Sequence, residues 1–140
     1  MDEIFRRGEC RNFKELTPVP DEQLLTLVKA GMQARSVGNQ KDRDFIIVTR
    51  EDLVKAISHN SIVAGPARKA SAAIVIVGKK EGVSFPDEWS FDCAAAAENI
   101  LLESKAAVFG VGGGAGEPLA AGLSISGQKD PPLQHPRYPD

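Results

Sequence analysis

Three stretches of this 140-residue chain combine residue types and spacings that can do chemistry. Gly110-Val111-Gly112-Gly113-Gly114-Ala115 matches G-x-G-x-x-A and follows the apolar run 106–109, as a dinucleotide-binding turn does. Such a turn opens a βαβ unit, yet only 25 residues follow Ala115, with Pro118 early and Pro131-Pro132 late. A Rossmann-like nucleotide site is therefore the weakest reading. Arg6, Arg7 and Arg11 form a basic cluster whose guanidinium forks suit phosphate. Taken alone, the cluster reads better as a solvated turn balanced by Glu3 and Glu9. Ser36-Val37-Gly38-Asn39-Gln40-Lys41 lies between a long helix and a strand, where short polar side chains can hydrogen-bond a flat heteroaromatic ring. Alone, it is an ordinary connection rich in turn residues.

The remaining reactive residues argue against other chemistries. His59 and His135 have no Cys or acidic neighbour at ligand spacing, so no metal site is expected. No G-x-S-x-G or comparable nucleophile motif is present, and no catalytic side chain is assigned. Cys93 falls in an alanine-rich helix, where a thiol is more often buried and inert. With Cys10 it makes neither a disulfide framework nor a zinc pattern, which suits a reducing, cytoplasmic compartment. The formal charge of −2 gives no reason to expect nucleic acid or an anionic membrane. No apolar run approaches the ~20 residues of a spanning helix, and Asp2 and Glu3 precede no leader-like apolar stretch.

The length and the 42 % apolar content predict one domain with a single core. Asp21-Glu22 opens a helix over about 22–34, with Leu24, Leu25, Val28 and Met32 on the expected buried face. Phe45–Val48 reads as a strand, and Thr49 with Asp52 as a capping box before a short helix. Ala72–Val77 is continuously apolar and is expected to be central in a sheet. A third helix covers about 90–105, capped by Ser90 or Asp92, and its run Ala94–Ala97 suits close helix packing. Leu119–Ser126 is a weak strand in an otherwise glycine- and proline-rich, weakly packed segment over about 112–140. Two firm strands are too few for a stable sheet, so either the glycine-rich end adds strands or a second copy completes the core.

Four blocks, in order, resemble the nitroreductase family of FMN-dependent oxidoreductases. Beginning at Ile4-Phe5, Arg7-Gly8-Glu9-Cys10-Arg11-Asn12-Phe13 is similar to its R-R-S-x-R-x-F motif, and Pro18–Leu24 to the entry of its long helix. Ala34–Phe45 resembles A-P-S-x-x-N-x-Q-P-W-x-F, and Asp92–Leu102 resembles D-x-x-A-A-x-x-N-x-L-L. The match spans 4–105 and fades beyond Lys105, so the chain reads as a shortened and divergent member. The resemblance implies an α+β fold, a central sheet flanked by helices, completed by homodimerisation around two FMN sites. Arg7 and Arg11 would hold the FMN phosphate, and Ser36 and Asn39 would contact the ribityl chain or the ring edge. The implied reaction is ping-pong: NAD(P)H reduces FMN, which then reduces a nitroaromatic, quinone or enone-like acceptor. The alternative is a degenerate homodimer that binds FMN weakly or not at all and has no redox activity.

This chain departs from the pattern at cofactor-facing positions. Gly8 and Glu9 replace an Arg and a Ser, and Glu9 must point away from a bound phosphate. Arg35 replaces a Pro, and Lys41-Asp42-Arg43 replaces Q-P-W. Lys41 puts a cation where the family has a neutral amide facing the flavin. Exchanging an apolar Pro-Trp for Asp42-Arg43 is expected to remove packing and leave that segment more exposed.

Overall fold

A computed structural model of the chain describes residues 3–6, 18–59, 68–104, 108–112 and 120–125. A short helix, α1 (Glu3–Arg6), precedes α2 (Asp21–Met32), whose first turn carries Asp21 and Glu22 and whose last carries Lys29, matching the helix dipole at both ends. A 3-10 turn at Val37–Asn39 leads into β1 (Arg43–Val48). Then come α3 (Glu51–His59), β2 (Ala72–Gly78), α4 (Trp89–Ser104), β3 (Val108–Gly112) and β4 (Ala120–Ile125).

The strands form one sheet in the order β1-β2-β4-β3, with every neighbouring pair antiparallel. β2 is central as expected, and its alternation sorts two faces. Ala72, Ile74 and Ile76 pack with α2 and α4, while Ala73 packs with Val54 and Ala70 on the α3 side. The glycine-rich end thus supplies two of the four strands found among the described residues, and the strand count no longer calls for a second copy. The Rossmann reading is overturned as well. Gly110 and Gly112 sit inside β3, paired with Gly122 and Ala120 of an antiparallel neighbour, where a dinucleotide turn would open a parallel crossover.

Three local expectations also need correction. The buried stripe of α2 is Leu24, Leu27 and Gly31, whereas Leu25 and Met32 are 52 % and 61 % exposed. The stripe turns because Gly31 faces Phe45 and Ile100, letting α4 approach α2 closely. Asn99 fastens the same contact, its Nδ2 donating to the Ala30 carbonyl at 3.1 Å. At α3, the Asp52 carboxylate takes the Arg50 guanidinium at 2.6 Å, and the helix starts at Glu51. Neither Ser90 nor Asp92 is the cap: α4 begins at Trp89, so both lie within the helix, and Asp92 is buried.

The small residues of α4 divide by face. Ala96 and Ala97 are buried and Ala94 is exposed, so the alanine run serves a crowded core. A Cβ at Gly31 would lie 2.8 Å from Phe45 Cε1 and 2.9 Å from Ile100 Cδ1. Gly31→Leu gains up to ~1 kcal/mol of helix propensity, against about 1–3 kcal/mol of overpacking. Overpacking should win, and urea unfolding of the variant should show a net loss of stability.

Candidate active site

The site is built on the connection between α2 and β1. Gly38, Asn39 and Lys41 all lie in the left-handed region, at φ 58°, 54° and 51°. Asn accepts that conformation readily; Lys does so at a cost of about 1–2 kcal/mol. Hydrogen bonds hold it there. Ser36 Oγ accepts the Lys41 N–H at 2.9 Å, and the Ser36 carbonyl accepts the Asn39 N–H at 3.0 Å. Gly38 has a second reason to be glycine, since a Cβ there would lie 2.7 Å from the Phe85 ring.

The loop is anchored from behind by α4. The Val37 N–H donates to both oxygens of Asp92, at 2.9 and 3.2 Å. Gln40 clamps the segment before α4. Its Oε1 accepts the Phe85 N–H at 3.0 Å, and its Nε2 donates to the Phe85 carbonyl and to Asp42 Oδ2, both at 3.1 Å. Arg43 completes the arrangement. Its guanidinium donates to the carbonyls of Arg35 and Ala34, each at 2.8 Å, and of Asp92 at 2.7 Å.

Asp42 and Arg43 are therefore buried, 1 % and 9 % exposed, and the expectation of a more exposed segment is wrong. The charges enter the interior because Arg43 meets three carbonyls and Asp42 meets Gln40 beside Asp92. Burial pushes the Asp42 carboxyl above the ordinary carboxylate range, and the neighbouring Asp92 charge pushes it further. Burial likewise raises the Cys93 thiol to about 11, with Asp42 and Asp92 adding and Arg43 opposing. Cys93 is an inert core thiol, as its context predicts.

Of the residues expected to hold a cofactor, Ser36 and Asn39 share this loop. Ser36 is half-buried; its oxygen accepts the Lys41 N–H, which leaves its O–H able to donate. Asn39 is exposed, and its side-chain amide makes no hydrogen bond among the described residues. Lys41 is exposed beside it. Arg7 and Arg11 lie outside the described residues. His59 is exposed with Nδ1 against the Lys55 carbonyl, and no group of metal-ligating side chains occurs among the described residues. Sequence reasoning missed Gln40 and Asp92. The signal was present in Asp92, an acidic residue next to a run of small apolar ones, but an acid near a helix start reads first as a cap.

No family model matches the chain. A protein of Archaeoglobus fulgidus, provisionally named NADH dehydrogenase/NAD(P)H nitroreductase, is 34 % identical over 103 residues. The match covers 73 % of this chain and 59 % of that relative, so the chain spans under two-thirds of the relative's length. Among solved structures, a provisional NADH oxidase from Clostridium acetobutylicum aligns with a TM-score of 0.82 at 27 % identity, covering 99 % of this chain and 95 % of that one. A nitroreductase-type protein from Desulfovibrio desulfuricans, solved with FMN, shares the fold with a TM-score of 0.79 at 19 % identity, covering 99 % and 90 %. The architecture is thus the α+β fold of the nitroreductases. In sequence and in fold the chain is similar to proteins named as NADH oxidases and nitroreductases.

Two outcomes follow from this geometry. Arg43→Met removes the donor from three carbonyls, one buried and two part-buried; a buried group left unsatisfied costs about 1–3 kcal/mol, and urea unfolding should show a loss of at least that size. Arg43→Lys should recover little of it, because a point charge cannot span three carbonyls as the planar fork does. In a Cys10→Ser background, a thiol reagent at neutral pH should leave Cys93 unmodified until denaturant is added.

Proposed function

We propose that the protein is an FMN-dependent oxidoreductase that passes a hydride from NADH or NADPH to a small acceptor such as a nitroaromatic, quinone or enone, working as a homodimer. The observation that carries this reading is the Ser36–Lys41 loop, left-handed at Gly38, Asn39 and Lys41. Its Ser36 and Val37 are tied down by hydrogen bonds, the Ser36 O–H is left free to donate, and the Asn39 amide and the Lys41 ammonium are exposed. That donor set fits FMN: a hydroxyl and an amide suit the ribityl chain or the ring edge, and a cation suits an electron-rich ring. Arg7 and Arg11 are the groups suited to the phosphate. The name of the Archaeoglobus relative and the FMN bound to the Desulfovibrio protein point the same way.

When bound, FMN supplies hydride acceptance and donation. The protein's own part is positional. The Asp92 anchor and the Gln40 clamp fix the loop, so that Asn39 and Lys41 hold one placement before a ligand arrives. Leu25 and Met32 on α2, with Phe91 near the start of α4, are exposed apolar surface that a second copy would cover. Among the described residues no helix is long and apolar enough to cross a membrane.

The decisive experiment is the visible spectrum of the purified protein before and after addition of FMN and removal of the excess. A retained flavin band that NADH or NADPH bleaches is expected, and added quinone should restore it. A protein that leaves all FMN in the filtrate would overturn the reading. Asn39→Ala should weaken FMN binding by about 2–10-fold, the worth of one hydrogen bond, measured by fluorescence titration.

A further inference from the structure

Behind the loop, two buried carboxyls lie together, with no cation between them among the described residues. Asp42 and Asp92 are 1 % and 3 % exposed, and both face Gln40 Nε2, at 3.1 and 3.5 Å. Asp92 has its carboxylate partner in the Val37 N–H. Asp42 Oδ1 is buried and receives no donor among the described residues.

Among the described residues, the neighbouring charges are paired with other groups or lie toward solvent. From β1, Arg43 spends its guanidinium on carbonyls, the Asp92 carbonyl included. Past the end of β2, the Lys79 N–H meets the Asp42 carbonyl, and its ammonium pairs with Asp44 at 2.9 Å. From α4, Cys93 brings a neutral thiol. On the loop Lys41 is exposed; Arg35 after α2 is exposed too, and half-buried Glu88 before α4 is a further acid. Two ionised carboxylates in such a place repel strongly, and a buried oxygen without a donor is costly. One proton relieves both.

We propose that Asp42 and Asp92 hold a single proton between them, and that this proton fastens the Ser36–Lys41 loop to α4. Neutral Asp42 donates to Asp92, whose oxygens go on accepting the Val37 N–H. Loss of the proton sets two negative charges against each other and loosens the anchor of the loop. Both residues are then positioning residues. Their bearing on flavin binding rests on the function proposed above, whereas the shared proton does not.

The raised Asp42 carboxyl sets the sign of the pH dependence. Its stabilising contribution is complete below the ordinary Asp range and is lost as pH rises through its folded value. Asp42→Asn keeps a donor toward Asp92 and carries no charge at any pH. In flavin-free protein, urea unfolding across pH should show the wild type losing stability relative to Asp42→Asn as pH rises. The gap should reach about tenfold in the unfolding constant for each unit by which Asp42 is displaced. Parallel profiles would overturn the proposal. Should Asp42→Asn fail to fold, carbon-13 NMR of the wild-type carboxyls decides: one protonated carboxyl well above the ordinary Asp range supports it, and two ionised carboxyls there sink it. FMN titration over the same pH range should show weaker binding as the proton leaves. A protein that takes up no FMN yet keeps the stability gap would defeat the flavin reading and leave the shared proton standing.

Discussion

The Arg43 guanidinium joins three parts of the chain that are far apart in sequence: the turn after α2, the start of β1 and the first turns of α4. A buried cation is expensive unless its donors are satisfied. Here each of its three hydrogen bonds goes to a main-chain carbonyl, an acceptor that no side-chain substitution removes. The charge is therefore stabilised by backbone whose course it also dictates. Because Arg43 occupies the Asp92 carbonyl while the Asp92 side chain occupies the Val37 N–H, one α4 residue receives the strand on one side and the loop on the other.

That arrangement explains how an unfavourable local conformation persists. Three left-handed residues within four positions would not be chosen by an isolated peptide. Contacts at both ends impose them: Asp92 at Val37, Ser36 at Lys41, and the two-sided grip of Gln40 on the Phe85 backbone. Strain held by surrounding structure in this way is common where a ligand is to be met. The outward side of the loop is left with groups that have no internal task.

The sequence was legible where a residue's role follows from its neighbours in the chain. β2 was readable because unbroken β-branched and apolar residues fit only a central strand, and α4 because its alanines demand a close partner. The placement of Ser36 and Asn39 on one loop followed from turn chemistry and from family resemblance. What stayed hidden depends on partners far off in sequence. Leu25 and Leu24 are chemically alike, and only the approach of Ile100 at Gly31 decides which is buried. Asp42-Arg43 reads as a solvated pair until three carbonyls, from positions 34, 35 and 92, are brought to it. The glycines of β3 matched a nucleotide motif by spacing alone, and their pairing with β4 showed them to be sheet residues.

The strand order also has a consequence for how the protein is made. β2 pairs with β1 on one edge and with β4 on the other, and α4 and β3 intervene before β4 is reached. During synthesis residues 72–77 must therefore wait, one edge open, until residues 120–125 have emerged. The waiting segment is the most apolar and β-prone in the chain, with the properties that favour pairing between nascent copies. Early docking of α4 onto Ile74 and Ile76 covers one face but cannot close that edge. Vulnerability to aggregation is thus concentrated in the interval between completion of α4 and arrival of β4, and pairing across so long a separation makes that interval slow.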